Sequence, residues 1–208
     1  MPTVLSITEA NLSISDVEAQ FGLVHTSDSQ FFIEWFTDLP VLTQEEIADC
    51  DRIKRSYLYN RSEDIKENGI NLLVVSPLLY LAGFFEPPYK VRAEEAIEIA
   101  VEDEGIVYRG RIDALVVQKH LWIVLIDSKR PKFNFFEAVP QALAYMMASP
   151  NGDRPSYALA TNGDGFIFIK RQGQQYSFSS DFSMFSQPQN HLYQVLQILK
   201  QLGNIASS

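Results

Sequence analysis

Apolar residues recur with a helical period in some parts of the chain and with a period of two in others. Thr43-Gln44-Glu45-Glu46 has capping-box spacing, and a helix is predicted from there to about Tyr59. Ser62 can cap a second helix running through Glu67 towards Val75. Gly69 weakens its interior, and Ser76-Pro77 predicts a break and an immediate restart, because proline lacks an N–H and suits a helix's first turn. The restarted piece covers Leu78 to Leu81 and stops at Gly83 and Pro87-Pro88. Phe135 to Ala148 is again helical in period and ends at Pro150-Asn151-Gly152. Gln189 to Leu202 closes the pattern as an amphipathic helix.

Between the helices the pattern is that of strands. Tyr89 to Val101 reads as one, with Ala93-Glu94-Glu95-Ala96 its ambiguous part. Val107 to Val117 and Leu121 to Asp127 are stronger, being rich in Val, Ile and Leu. Ser156 to Thr161 and Phe166 to Lys170 flank Asn162-Gly163-Asp164-Gly165, a hairpin turn. Residues 1–29 scatter apolar positions among Ser, Thr, Asp and Asn and read as an extended or loosely ordered arm. The apolar cluster Phe31 to Phe36 and a turn at Leu39-Pro40 follow. Mixed helices and strands without a repeat predict an α/β fold.

At 208 residues, with 46% hydrophobic and 21% charged, the chain suits one soluble domain, or one domain plus an N-terminal elaboration. No stretch reaches the ~18 consecutive apolar residues of a membrane span. Met1-Pro2-Thr3-Val4 lacks the order of a secretory signal. Cys50 is the only cysteine, so neither a disulfide framework nor a cysteine-based zinc site is expected. These features predict a cytoplasmic protein.

The net charge of −9 runs against nucleic-acid binding, but its distribution is uneven. Residues 1–33 hold four acids and no Lys or Arg, and residues 34–104 hold 16 acids against seven bases. Residues 105–135 reverse this: Arg109, Arg111, Lys119, Lys129, Arg130 and Lys132 surround only Asp113 and Asp127.

A three-residue loop, Gln118-Lys119-His120, would set Val117 opposite Leu121, Asp113 opposite Leu125 and Arg111 opposite Asp127. Directly opposed residues share a sheet face, so Arg111, Asp113, Asp127 and Lys129 would project together, with the two aspartates diagonal neighbours. A loop one residue shorter would send Asp127 to the other face. Both strands are otherwise apolar runs, as in a sheet covered on both faces, where an unpaired charge costs several kcal/mol. Two carboxylates there make a hard-oxygen site suited to Mg²⁺ (or Mn²⁺). Such an ion polarises a phosphate and acidifies water, and Lys129 can orient that water and offset developing charge. On spacing alone a second explanation stays open: Asp-Ser-Lys as a strand end emerging into solvent, with Asp113 paired to Arg111 or Arg109.

Arg111-Ile112-Asp113 followed by Ile126-Asp127-Ser128-Lys129 resembles the D-(D/E)xK core of the PD-(D/E)xK nuclease superfamily. Gln141-Ala142-Leu143-Ala144-Tyr145 resembles the QxxxY helix motif of its RecB-like and type I restriction branches. Thr161-Asn162-Gly163 resembles the TNG hairpin of the nuclease domain of type I restriction R subunits, and Pro77-Leu78-Leu79 to Ala82-Gly83 that family's PLLxxLG helix. The resemblance spans about residues 62–171. It implies a restriction-endonuclease-like core, a central mixed β-sheet flanked by helices, over residues 62–180. Residues 1–61 would then be an N-terminal extension and residues 181–208 a C-terminal helix packed on the core.

The resemblance further implies a metal-dependent nuclease acting on DNA, with Asp113 and Asp127 as metal ligands and Lys129 as the catalytic lysine. Gln141 and Tyr145 would shape the site, and Glu67, with Glu63 as alternative, would supply a further acid. Arg111, Arg130 and Lys132 would bind substrate. Asp127 stands where Glu is commoner, and isoleucines precede both acids. A catalytically inactive DNA-binding or assembly module on the same fold is the alternative. No G-x-x-x-x-G-K-[ST] occurs, so no nucleotide-driven motor is expected in this chain. The acidic N-terminal part suggests a protein partner or a second copy of the chain.

His25, His120 and His191 are isolated, and no zinc spacing joins them. Cys50 on the first predicted helix reads as a small packing residue, and Trp122, Val124 and Ile126 as core. Phe133, Phe135 and Phe136 beside Arg130 and Lys132 fit base stacking or the packing of the following helix. Tyr193, Val195, Leu196 and Leu199 are expected to dock the last helix.

Overall fold

The computed structural model describes residues 3–6, 12–61, 65–101, 106–116, 121–125, 138–148 and 153–207, with the backbone alone described at 3–6, 67, 206–207 and in the strands between 91 and 125. The described residues among the first 29 form regular elements rather than the extended or loosely ordered arm expected. Thr3–Ser6 form strand β1, Ile14–Phe21 form helix α1 and Val24–His25 form strand β2. Ser13 caps α1: its hydroxyl accepts the Asp16 N–H at 3.1 Å, and the Asp16 carboxylate accepts the Ser13 N–H at 2.9 Å. This is a capping box with Asp in the place of the usual Glu or Gln, which is why the segment reads as a polar loop. Gly22 closes α1 in the left-handed region, φ 64°.

Helix α2 (Gln44–Asn60) starts at the predicted cap, with Thr43 Oγ1 accepting the Glu46 N–H and Glu46 accepting the Thr43 N–H. Its 3–4 spacing buries Cys50, Ile53 and Tyr57. Helix α3 (Glu67–Ile70), a π-helical turn (Asn71–Val75) and helix α4 (Ser76–Leu81) follow in one run. The break expected at Ser76-Pro77 does not occur. Pro77 removes one N–H and its ring would meet the carbonyl four residues back. The widened turn relieves this, since the Ser76 N–H donates to the Asn71 carbonyl five residues back. Ser62 and Glu63 lie outside the described residues.

Strands β3 (Val91–Val101), β4 (Ile106–Val116) and β5 (Leu121–Leu125) form an antiparallel meander. The ambiguous Ala93–Ala96 stretch belongs to β3. Helix α5 (Val139–Met147) lies between β5 and β6 (Ser156–Thr161), which is parallel to β5. Strands β7 (Gly165–Gln172) and β8 (Gln175–Phe178) return antiparallel, β9 (Phe182–Ser183) pairs with β7, and helix α6 (Leu192–Ser207) ends the chain.

Among the described residues nine strands make one mixed sheet in the order β1-β4-β5-β6-β7-β8-β2, with β3 also on β4 and β9 on β7. Helices flank it. Alternation along β6 and β7 feeds two cores. Tyr157, Leu159, Phe166 and Phe168 pack against α2, the helical run and α6, whereas Ala158, Ala160, Ile167 and Ile169 pack against α5 and α1. Each fully buried large side chain contributes roughly 1.5–3 kcal/mol. Val195, Leu196 and Leu199 of α6 are buried, as expected, and Tyr193 is partly so. No helix among the described residues is long and apolar enough to cross a membrane.

Candidate functional site

β5 and β6 run in register from Leu121 opposite Tyr157 to Leu125 opposite Thr161. The chain therefore leaves both strands at the same sheet edge. Asp127 and Lys129 follow Leu125 by two and four residues. They lie outside the described residues, as do Arg130, Lys132, Ile126, His120, Phe133, Phe135 and Phe136. At the matching end of β6 stands the hairpin that begins with Thr161.

The register between β4 and β5 corrects the expected one. Val116, not Val117, stands opposite Leu121, and Ala114 stands opposite Ile123, so residues 117–120 make a four-residue connection. The expectation that Asp113 faces Leu125 is thereby overturned. Extending β5 regularly would set position 127 opposite Gly110 rather than Arg111, so alternation no longer puts the two aspartates on one face. β5 pairs with β4 as far as Ile123 but with β6 as far as Leu125. It is thus turning away from β4 where Asp113 stands.

β3 supplies a neighbour that the sequence reading missed. Ala93 stands opposite Ala114 and Glu95 opposite Ile112, which puts Glu94 across from Asp113 in the same register. Ala96 stands opposite Arg111, and Glu98 opposite Arg109. The signal was the ambiguous Glu94-Glu95 stretch, which gains meaning only once the strand pairing is known. Acids directly opposed across two strands destabilise the pair unless a cation offsets them.

In α5, Val139, Pro140 and Ala142 to Met146 are buried while Gln141 is half-buried. Gln141 and Tyr145 share a face, as their spacing predicts, and Gln141 Nε2 donates to Tyr145 Oη at 3.1 Å. Tyr145 is fully buried. Because β5 and β6 are parallel, α5 spans from the carboxyl end of one towards the amino end of the other. Gln141, in its first turn, is on the side of the sheet where β5 ends at Leu125.

The hairpin satisfies itself and is pinned from α2. Thr161 Oγ1 donates to the Gly165 carbonyl at 2.7 Å and accepts the Gly163 N–H at 3.0 Å. Asn162 Oδ1 accepts the N–H groups of Asp164 and Gly165. Tyr57 Oη donates to Asp164 Oδ1 at 2.9 Å. Arg61 donates from Nε to Oδ1 at 2.8 Å and from Nη2 to Oδ2 at 2.9 Å. Burial first, and the Asp164 carboxylate second, push the Tyr57 phenol well above its ordinary range. Thr161, Asn162 and Gly163 thus shape the turn.

Glu67 begins α3, with its side chain outside what is described. Cys50 is buried, as a packing residue should be, and burial pushes its thiol up to about 12. His191 accepts the Ser183 N–H at 3.1 Å and contacts Ser186 Oγ, while the His25 ring stacks on Phe178. Among the described residues no three acids, histidines or cysteines are grouped to hold a metal ion. Compared with models of protein families the chain matches none, and no curated protein matches it.

Proposed function

We propose that this chain is a metal-dependent nuclease that hydrolyses DNA phosphodiester bonds on a restriction-endonuclease-like core, with Asp113, Asp127 and Lys129 as its reacting groups. One observation carries this: β5 and β6 are parallel and end together at Leu125 and Thr161. In open sheets with parallel strands, ligands bind beyond the carboxyl ends. The D-x-K motif begins two residues past that edge, and the motif glutamine and tyrosine sit on the connecting helix, bonded to one another.

The donor set suits Mg²⁺ or Mn²⁺, since Asp113 and Asp127 offer hard carboxylate oxygens. Glu94, across from Asp113, joins Glu67 as a candidate further acid, and its pairing with Asp113 is one that a cation relieves. For Asp127 to meet Asp113, the chain past Leu125 must bend towards β4 rather than continue the alternation of β5. When bound, the ion polarises the scissile phosphate and acidifies water. Lys129 orients that water and offsets charge at the phosphoryl oxygens. In this reading the Gln141 amide, held by Tyr145, positions the reacting group, and Arg111, Arg130 and Lys132 hold the phosphate backbone locally against the overall negative charge.

The test is cleavage of plasmid and single-stranded DNA with Mg²⁺, Mn²⁺ or EDTA. Lys129→Ala is expected to lower the metal-dependent rate by roughly a hundred- to a thousandfold. Equal background from both proteins sinks the enzymatic claim and leaves a binding or assembly module. Calorimetric titration of Mn²⁺ checks the ligands separately: Asp113→Ala and Asp127→Ala should each abolish binding.

A further inference from the structure

The π-helical turn has a second consequence. Two turns of a regular helix take about seven residues, and the widened turn adds one. Leu72 and Tyr80, eight residues apart, therefore return to the same face of the helical run, roughly 11 Å from one another along its axis. Both stand in water, 72% and 65% exposed, whereas Leu79, seven residues after Leu72, is buried. Phe85 is 47% exposed, and its ring centroid lies 6.4 Å from that of Tyr80. Leu72 and Tyr80 thus head an apolar ridge that Phe85 extends, and contact with water disfavours it.

Beside the ridge runs a groove of about 360 Å³ between the helical run and α2. Leu73, Pro77 and Leu81, at successive spacings of four, line it on one side, and Ile53 and Ser56 of α2 line it on the other. At its rim Asp49 and Arg52 are paired with each other at 2.5 Å, so they offer an incoming surface no net charge. Residues 68–85 include no Asp, Glu, Lys or Arg. In a chain of net charge −9, this is a face on which a like-charged molecule meets little repulsion.

We propose that this face joins two copies of the chain about a two-fold axis. Such an interface uses the same patch on both sides, so one patch must carry both the projecting part and its socket. Here it does. Leu72 and Tyr80 of each copy enter the groove of the other, as ridges enter grooves between packed helices. A basic partner would find no excess of acid at this rim, and a partner that filled the groove alone would leave the ridge in water. Pairing of two copies covers ridge and groove together. The inference rests on none of the residues assigned to phosphodiester hydrolysis, and it is measured apart from cleavage.

Sedimentation velocity of the full chain over roughly a hundredfold range of concentration is the test. The average mass should rise towards twice that of the chain. Tyr80→Glu and Leu72→Glu each bring a carboxylate from both copies into one apolar contact, and should weaken the dimer at least about thirtyfold. Both side chains stand in water in the single chain, so far-UV circular dichroism should not change. Val24→Glu, at another exposed apolar residue in strand β2, adds the same charge and should leave the dimer as it is. A parent chain that stays single at every concentration overturns the inference. So does a dimer that both ridge variants keep at the parent affinity, or one that Val24→Glu weakens as much as they do. If the parent chain is single yet binds an apolar dye that Tyr80→Glu does not bind, the inference fails and the groove serves another occupant.

Discussion

The hydroxyl of Tyr57 stands 2.6 Å from the point that a Cβ on Gly163 would occupy. Gly163 also has φ +84°, a conformation open to glycine and strained for other residues. Two independent reasons thus fix glycine in this turn. Gly163→Ala should cost roughly 1–3 kcal/mol. A thermal melt should then drop by about 2–4 °C per kcal/mol for a chain of this length. An unchanged midpoint would mean that the hairpin is not seated against α2.

Lys170 Nζ lies 2.5 Å from Glu34 Oε1, with side-chain exposures of 8% and 15%. The ammonium also donates to the Phe31 carbonyl at 2.6 Å, and Tyr157 donates to the same glutamate oxygen at 2.9 Å. This knot ties the loop around Phe31–Phe36 to the sheet. Removing one partner leaves the other charge buried. Glu34→Ala and Lys170→Ala should each therefore cost about 3–5 kcal/mol in urea unfolding. The double variant should cost clearly less than the sum of the two. Strict additivity would show that the charges do not interact.

Cys50 is fully buried, and its Sγ contacts the Leu192 carbonyl at 3.8 Å. Burial first, then the nearby Asp51, Asp49 and Glu46 carboxylates, raise its pKa to about 12. An unfolded cysteine ionises near 8.5. The folded state therefore keeps this contribution in full below about pH 8.5 and loses it as pH rises towards 12. A thiol-reactive dye at neutral pH should label native protein slowly and denaturant-unfolded protein at once. Rapid native labelling would place Cys50 at the surface.

Asp51 accepts from Tyr193 Oη at 2.7 Å and from Asn190 Nδ2 at 3.0 Å, joining α2 to α6. The Tyr193 bond first, and the Asn190 bond second, hold its carboxyl below the usual aspartate range. For a depressed carboxylate the stabilisation is present above its unfolded pKa of about 3.9 and is lost as pH falls through the lower folded value. Asp51→Asn should flatten the loss of stability below about pH 4, leaving the other acids to govern what remains. An acid limb identical to that of the parent chain would contradict this.

The legible parts of the fold were those with local signals of full strength. Thr43 with Glu46 announced α2, and Asn162-Gly163 announced the β6–β7 hairpin, because each motif satisfies its own backbone donors within four residues. Ser13 with Asp16 does the same for α1 but uses a shorter acid. β1 and β2, of four and two residues, take their order from pairing with β4 and β8, partners far along the chain. The candidate site divides in the same way. Gln141 and Tyr145 met as their spacing predicts, since an α-helix leaves no freedom at i and i+4. The relation of Asp113 to β5 hung on the length of one connection, and a single residue changed it. Glu94, Tyr57 and Arg61 are brought to their places by tertiary pairing that no local pattern encodes.

Tyr145 is the residue on which packing and the proposed chemistry can be separated. Its ring is fully buried, and its hydroxyl accepts from the amide of half-buried Gln141 at 3.1 Å. Tyr145→Phe keeps the ring and removes that acceptor. The half-buried amide can turn to water, so stability should fall by no more than about 1–2 kcal/mol. If Gln141 must be aimed at the reacting group, kcat should still drop roughly tenfold with KM little changed, because misplacing a positioned group acts mainly on the transition state. Gln141→Ala should lower kcat by at least as much without loosening the core. Single-turnover cleavage beside a melting curve distinguishes the two roles. Activity lost only in proportion to the loss of folded protein would make the pair a packing feature of α5 and remove Gln141 from the reaction.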